Sequence, residues 1–212
     1  MKTMIMQLKH LFDILISLTL LVVLALPFGV ISLMILLKSG RPVFFLQERA
    51  GLHGKPFRVV KFRTMIRNSE GSGMGVFTEE NDPRITTVGR FLRKFSIDEL
   101  PQLINVLKGE MSLVGPRPTL TYQVERYSEK QRRRLLMKPG ITGWAQVNGR
   151  NSLTWPERIE LDVWYVENWS MKLDFLILIK TLTIFFKSDG VYGRQIDEIS
   201  QVDEDCRKDI SL

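Results

Sequence analysis

An uncharged stretch of 24 residues, between Asp13 and Lys38, limits the folds open to this chain more than any other feature. As one helix it would extend roughly 36 Å, longer than the ~30 Å hydrocarbon core of a bilayer. A soluble core helix that is so long and apolar all round is disfavoured. A secretory signal is disfavoured too, because Asp13 interrupts the approach to the stretch and no small-x-small cleavage site follows it. The sequence therefore predicts a membrane-associated segment.

Pro27 lies near the middle of this stretch and leaves two topologies open. A proline removes one backbone hydrogen bond and kinks a helix, which would give two arms of about 20 and 15 Å, each suited to one leaflet. A straight spanning helix that tolerates the proline is the other interpretation. Basic residues on both sides slightly favour a re-entrant hairpin with two cytoplasmic ends. These residues are Lys2, Lys9, Lys38, Arg41 and Arg49.

The net charge of +7 over 212 residues indicates an acidic partner, which could be nucleic acid, anionic lipid or a phosphorylated substrate. Nucleic acid is not expected, because no motif for reading it is present. The single cysteine, Cys206, cannot form an intrachain disulfide, so nothing indicates an oxidising compartment. His10 and His53 are isolated, which disfavours a histidine metal site or a Ser-His-Asp triad.

Asp98 and Glu99 stand between a basic run and an apolar helical pattern that is expected to stop at Gly109. One interpretation is helix capping, since Ser96 and Glu99 fit a capping box. The other is phosphoryl chemistry through a divalent metal, because a helix N-terminus and nearby cations favour anions. The two interpretations are compatible. The nearby cations are Arg90, Arg93, Lys94 and Arg117.

Two short strands, over residues 43–47 and 57–63, are predicted to form a hairpin. Period-two alternation would place Lys61 and Arg63 on one strand face, either solvated or in contact with phosphate or headgroups. A helix is predicted over 119–138.

The C-terminal half carries three further patterns. The arginines of 132–134 are expected on a solvated or lipid-binding face. A strand-like stretch over 141–151 would direct Gln146, Asn148 and Arg150 to one side. From Trp155 onward helices are predicted, whose tryptophans serve interfacial anchoring or core packing.

The chain resembles the bacterial sugar transferases, the small monotopic phosphoglycosyl transferases that start glycoconjugate assembly on polyprenyl phosphate. The most specific segment begins Ser-Ile-Asp-Glu-Leu-Pro-Gln-Leu at residue 96 and ends Gly-Pro-Arg-Pro at residue 118. Together the matching segments cover nearly the whole chain in order. They are residues 42–52, 60–65, 96–118, 138–151 and 161–170.

The resemblance implies a reaction in which a sugar 1-phosphate passes from a UDP-sugar to undecaprenyl phosphate and UMP is released. Asp98 matches the aspartate that attacks the β-phosphorus to give a covalent phosphosugar intermediate, and Glu99 matches its partner. Mg²⁺ is the implied cofactor, held by Glu99 and Asp98. The rival hypothesis is a non-catalytic, basic, membrane-anchored adaptor that binds anionic lipid.

Arg93 and Arg117 match basic positions that the family associates with phosphate or nucleotide binding, and Gln102 lies one turn after the dyad. With the residues singled out above, they make a predicted substrate-binding set. The set is Lys61, Arg63, Arg93, Gln102, Arg117, Gln146 and Arg150.

For the fold, a mostly α protein with a small β-hairpin (α+β) is predicted. Residues 1–40 would form a re-entrant membrane helix broken at Pro27, although Leu26 stands where the family often has a small polar residue. Residues 41–190 would form a catalytic domain with amphipathic interfacial helices, and 191–212 a polar tail. The expected location is the bacterial inner membrane, on its cytoplasmic face, in contact with membrane lipid. A homodimer is compatible with the sequence, whereas the sugar and the glycan pathway stay open.

Overall fold

A computed structural model describes residues 2–67, 69, 82–149 and 152–185. Most of these residues are helical and two small sheets accompany the helices, which confirms the predicted α+β class. The helices are α1 Lys2–Val23, α2 Ala25–Ser39, α3 Thr87–Lys94, α4 Leu103–Leu107, α5 Thr121–Glu125, α6 Glu129–Arg132, α7 Trp144–Val147, α8 Trp155–Glu167 and α9 Met171–Phe185. Short 3₁₀ helices cover Leu52–Gly54, Ile97–Gln102 and Arg133–Leu136.

The predicted hairpin is confirmed, with β1 over Phe44–Ala50 and β2 over Pro56–Phe62. The strands are antiparallel, and their register sets Phe45 opposite Lys61. A second sheet joins β3, Ser112–Val114, to β4, Gly140–Thr142, in parallel. This second sheet brings the Gly-Pro-Arg-Pro segment after β3 beside the chain that follows β4.

The break between the first two helices lies at Leu24, three residues before the predicted position, Pro27. Leu24 has φ −85° and ψ 0°, outside the helical range, while Pro27 sits within the first turn of α2. Proline is tolerated in a first turn because the N–H groups there lack helical partners. The N–H that Pro27 lacks would have paired with the carbonyl of Val23, so the proline interrupts the helix one turn before itself.

Both of these helices pack on the same globular body. Ile16 and Leu21 of α1 pack against a core that includes Leu103 and Tyr165. Ile35 of α2 is buried in a separate cluster with residues from β2 and α3. Leu24, at the break between the two helices, also packs against the first core, so the pair contacts the body at the break as well as along both helices.

The outward faces of α1, α2 and α9 are apolar. Within the described chain, Met4–Val23 is the helical segment long and apolar enough to cross a membrane, and α2 is a shorter apolar helix. These surfaces are consistent with membrane association. Their exposed side chains include Leu8, Leu11, Leu15, Leu18 and Val22 on α1, Leu26, Val30, Leu33 and Leu37 on α2, and Phe175, Leu176, Ile179 and Leu182 on α9.

A buried polar network fastens the N-terminal half of α1 to the body. Lys9 Nζ lies 2.7 Å from Asp174 Oδ2 on α9 and donates to the Val114 carbonyl at 3.2 Å. Asp13 accepts from Ser112 Oγ at 2.7 Å, and the Tyr165 hydroxyl donates to Asp174 Oδ1 at 2.7 Å. We call Lys9, Asp13, Ser112, Tyr165 and Asp174 the anchoring network. Through it, the first turns of α1 belong to the folded body.

Two predictions about the second half of the chain are wrong. The helix expected over 119–138 is divided into α5, α6 and a 3₁₀ helix, and the strand expected over 141–151 ends at Thr142, where α7 soon follows. The arginine run is not uniformly on the surface, because Arg134 is buried against Asp162 of α8 while its neighbour Arg133 is exposed. The predicted tail from residue 191 lies outside the described residues.

Candidate active site

Asp98 and Glu99 lie in the first turn of the 3₁₀ helix Ile97–Gln102. Ser96 precedes them with φ 52°, a left-handed conformation, and its side chain makes no capping hydrogen bond. The capping-box prediction is therefore wrong. The Glu99 carboxylate turns away from the backbone and toward two cations, which give a charged acceptor stronger partners than a backbone N–H. The predicted stop is confirmed, since α4 ends just before Gly109, which has φ 76°.

Glu99 is held by Lys61 and Arg117. Lys61 Nζ donates to Glu99 Oε1 at 2.8 Å, while Arg117 contacts Oε1 through Nη2 at 2.7 Å and Oε2 through Nη1 at 3.2 Å. Burial opposes ionisation of Glu99, but the two cations outweigh it and hold the pKa of this carboxyl well below its usual value. Glu99 is thus a fixed, ionised group that aligns both cations.

Asp98 has a different environment. Within the part of the chain that the structure describes, no hydrogen bond or ion pair holds its carboxylate. Burial, together with the negative charge of Glu99, raises the pKa of Asp98, against the opposing effects of Lys61, Arg93 and Arg117. A carboxylate that lies near cations and is bound by none of them is free to meet a substrate.

The structure brings Lys61 to the dyad but directs Arg63 elsewhere. Because β2 ends at Phe62, strand alternation no longer fixes the direction of the next side chain. Arg63 is 6% exposed, and its Nη2 donates to the carbonyls of Ser39 at 2.7 Å and Gly40 at 2.6 Å. Arg63 therefore closes the C-terminal end of α2, and a substrate contact for it stays a prediction.

Of the four remaining predicted site residues, the structure describes three. Arg93, in the last turn of α3, donates from Nε to Thr64 Oγ1 at 2.9 Å and is close enough to oppose the raised pKa of Asp98. Gln102 is buried at the end of the 3₁₀ helix. The amide atoms of Gln146 are buried and have no hydrogen-bond partner among the described residues. Arg150 lies outside the described residues.

Sequence reasoning missed Arg49 and Gln47 of β1. Arg49 donates to Gln47 Oε1 from Nε at 3.1 Å and from Nη2 at 2.5 Å, and from Nη1 to the Pro118 carbonyl at 3.4 Å. Since Phe45 lies opposite Lys61, alternation puts Gln47 and Arg49 on the face of the hairpin that carries Lys61. The strand pattern therefore contained the signal for Arg49, which adds a further cation to the site.

Sequence reasoning also missed Arg134 and Asp162, which lie next to the backbone of Arg117. The Arg134 guanidinium donates from Nη2 to the Arg117 carbonyl at 3.0 Å and also pairs with Asp162. Burial raises the pKa of Asp162 to about 6, opposed by Arg134. No local pattern links these residues, because each comes from a different segment.

The arrangement suits phosphate chemistry. Lys61, Arg93 and Arg117 surround one fixed carboxylate and one free carboxylate, so an anionic group can be neutralised while Asp98 approaches it. The site lies between the hairpin, α3 and the segment after β3, and α2 returns to the body beside α3. A polar head carried on an apolar chain could therefore reach the site from the apolar faces.

A family model and several known proteins match most of this chain. The family model described as bacterial sugar transferase matches residues 4–188. EpsL of Bacillus subtilis, named an uncharacterized sugar transferase, is 51% identical over 188 residues, which are 88% of this chain and 91% of that protein. The undecaprenyl-phosphate galactose phosphotransferase of Salmonella typhimurium is 43% identical over 199 residues, covering 87% of this chain and 42% of that protein.

A third relative is the UDP-glucose:undecaprenyl-phosphate glucose-1-phosphate transferase of Escherichia coli. It is 40% identical over 193 residues, covering 87% of this chain and 41% of that protein. The chain therefore spans less than half the length of the Salmonella and Escherichia relatives.

Proposed function

Because the chain belongs to the bacterial sugar transferase family, we propose that it transfers a sugar 1-phosphate from a UDP-sugar to undecaprenyl phosphate and releases UMP. The names of the Salmonella and Escherichia relatives support undecaprenyl phosphate as the acceptor, and the latter supports a UDP-sugar donor. The observation that carries the proposal is the contrast within the dyad, where Glu99 is fixed by two cations and Asp98 is free. The reaction would be an initiating step of glycan assembly.

The chemistry would proceed in two displacements at one phosphorus. An oxygen of Asp98 attacks the β-phosphorus of the UDP-sugar, the bond from that phosphorus to the bridging oxygen breaks, and UMP leaves with the bridging oxygen. A phosphate oxygen of undecaprenyl phosphate then attacks the same phosphorus. The acyl-phosphate bond breaks, and the Asp98 carboxylate is restored. Lys61, Arg93 and Arg117 offset the negative charges that meet in each step.

The environments of the two acids support this division of roles. Glu99 shares its oxygens with Lys61 and Arg117, and its low pKa makes it a weak nucleophile. Asp98 has a raised pKa, which gives a more basic carboxylate, and no partner in the described chain to displace. Asp98 is thus the better nucleophile and Glu99 the better organiser of the cations.

The dyad also fits Mg²⁺ as proposed cofactor. Mg²⁺ is usually bound through one or two carboxylates together with substrate phosphates. The contacts to Lys61 and Arg117 occupy three of the roughly four lone-pair positions of Glu99, so one stays open on Oε2. Asp98 and Glu99 would hold the ion, which when bound would supply charge neutralisation at the diphosphate.

For the membrane topology we propose a re-entrant pair, with the catalytic body on the cytoplasmic face of the inner membrane. The support is that α1 and α2 both pack against one body, α1 through Lys9 and Asp13 and α2 through Ile35. A straight span would separate the two ends by the bilayer. Labelling of an N-terminal tag in intact cells tests this, and labelling from the periplasmic side would refute the topology.

The decisive experiment measures UMP release from a panel of UDP-sugars, with and without undecaprenyl phosphate. With donor alone, we expect a peptide containing Asp98 to gain the mass of one sugar phosphate, and addition of the acceptor should discharge it. Asp98→Asn should show neither the adduct nor turnover. Turnover without any adduct at Asp98 would replace the covalent route with direct attack by the acceptor, and turnover of no donor would overturn the function.

A further inference from the structure

Arg117 is held at both ends. Its guanidinium makes the paired contact to Glu99, and its carbonyl accepts a hydrogen bond from Arg134 Nη2 at 3.0 Å. The side chain that aligns the dyad therefore has its own backbone fixed by a second arginine. That second arginine is 3% exposed and touches neither carboxylate of the dyad in the described chain.

Arg134 is itself held by several contacts. It pairs with Asp162 of α8, and its Nη1 donates to the Tyr127 hydroxyl at 2.6 Å. Its guanidinium also lies 5.7 Å from the ring centre of Tyr127 and 5.6 Å from that of Trp155. A planar guanidinium that donates three hydrogen bonds and lies near two aromatic rings has little freedom to rotate. It can hold the Arg117 peptide at a fixed distance from α8.

A contribution to stability does not by itself explain the buried ion pair of Arg134 and Asp162. Replacing a buried ion pair by apolar side chains of similar volume is often neutral or stabilising. The next residue makes the comparison direct, since Arg133 pairs with Glu167 of the same helix, with both side chains about half exposed. That exposed pair does not reach the Gly-Pro-Arg-Pro segment, whereas Arg134 contacts it.

We infer that Arg134 and Asp162 are positioning residues that set the reach of Arg117 toward Glu99 and the phosphates. This inference rests on the proposed function for its catalytic readout. Phosphoryl transfer depends on alignment, and a displacement of about 1 Å can cost on the order of 100-fold in rate. Loss of the Asp162 charge would release Arg134 from α8 and, through its bond to the carbonyl, let Arg117 shift.

The test is a double-mutant cycle on the full-length protein with Asp162→Asn and Arg117→Gln, read as kcat and KM for UMP release. Asp162→Asn alone should lower kcat/KM by about 10- to 100-fold, mainly through kcat. In the Arg117→Gln background, Asp162→Asn should have almost no further effect, because its target side chain is gone. Glu167→Gln is the matched control, with the same charge change on the same helix, and should leave both parameters unchanged.

Equal losses in both backgrounds would overturn the inference and make the pair a structural support only. If Asp162→Asn does not fold, Arg134→Lys gives the same cycle, since lysine keeps the charge but lacks the fork that bridges Asp162 and Arg117.

A failure of the proposed function is separated by repeating the cycle on UDP affinity, measured by calorimetry without turnover. Coupling between Asp162 and Arg117 in UDP binding would uphold positioning even if no UDP-sugar is consumed. Additive losses of UDP affinity would contradict positioning independently of turnover.

Discussion

Two clusters of charged residues use the segment 112–117, Ser112 in one and Arg117 in the other, and they differ in how completely their carboxylates are paired. In the anchoring network, Asp174 accepts from Lys9, Tyr165 and Trp169, and Asp13 accepts from Ser112. In the dyad, Glu99 is the only carboxylate that is paired with a described residue. Both clusters carry a free-energy cost of removing charged groups from water. They differ in whether a carboxylate remains available to bind another group.

This difference in pairing distinguishes a structural cluster, the anchoring network, from a candidate catalytic one, the dyad. In the anchoring network each carboxylate oxygen of Asp13 and Asp174 accepts at least one hydrogen bond, and these bonds join helices that are distant in sequence. The dyad keeps one carboxylate beside cations that are already oriented by the other. The dyad cluster is also the more exposed of the two, with side-chain exposures of 16% for Glu99 and 47% for Arg117 against 6% for Lys9 and Asp174.

The largest effect is expected at the free carboxylate. Asp98→Asn removes the nucleophile while changing one oxygen to nitrogen, so UMP release should fall by at least about 10³-fold. Thermal unfolding should hardly change, because no described side chain bonds to Asp98. Unfolding midpoints and single-turnover assays check both halves of the expectation. Retained turnover would place the nucleophile elsewhere.

In the anchoring network, a large loss of stability with little change in activity is expected. Lys9→Met leaves Asp174 and Asp13 buried without their cation, which should lower the free energy of unfolding by about 3–5 kcal/mol. The rate of UMP release per folded molecule should stay near that of the wild type. Denaturant unfolding in detergent measures the loss, and Lys130→Met, at an exposed lysine, is the control. Equal stability of the two variants would show that the network does not fasten α1.

A moderate effect is expected from pH. Asp98 must be ionised to attack, and burial with the charge of Glu99 raises its pKa, so kcat/KM should fall as pH drops through a value above the usual ~3.9. Lys61, Arg93 and Arg117 also face Asp98 and limit the rise.

Glu99→Gln removes the negative neighbour of Asp98 and frees two cations, so the pKa of Asp98 should fall. The acid limb of the remaining activity should therefore shift to lower pH. A pH profile of each enzyme tests this. An unchanged limb would mean that another group controls ionisation.

The smallest effect is expected at the surface. Glu167→Gln breaks the exposed pair with Arg133, and such pairs contribute about 0–1 kcal/mol. Unfolding measured at low and high salt should show a small difference that salt removes. A loss as large as that of Lys9→Met would contradict the distinction between exposed and buried pairs.

Sequence patterns predicted what depends on near neighbours. Alternation placed β1 and β2, and Lys61, for which a solvated face and a phosphate or headgroup contact were both open, contacts Glu99. The membrane segment followed from the absence of charge. The break was displaced to Leu24 because a missing N–H affects the carbonyl one turn earlier, and Arg63 left the site because the strand ended one residue before it.

The rest depends on contacts between distant segments. Ser96 and Glu99 satisfied the capping pattern, but Arg117, 18 residues beyond Glu99, is the stronger partner. The run at 132–134 looked uniformly exposed because Asp162, 28 residues after Arg134, could not be foreseen as its partner. A local pattern describes what a residue can do, and tertiary packing decides which of these contacts it makes.

The bond between Lys9 and Asp174 joins residues 165 positions apart, so it sets an order of events during synthesis. When α1 leaves the ribosome, the carboxylate that will bury its lysine has not been made. Asp13 can meet Ser112 once β3 has been made, whereas Lys9 has no carboxylate partner on another helix until residue 174 has been made. The ion pair that completes the attachment of α1, the first helix of the chain, therefore cannot form before translation passes residue 174.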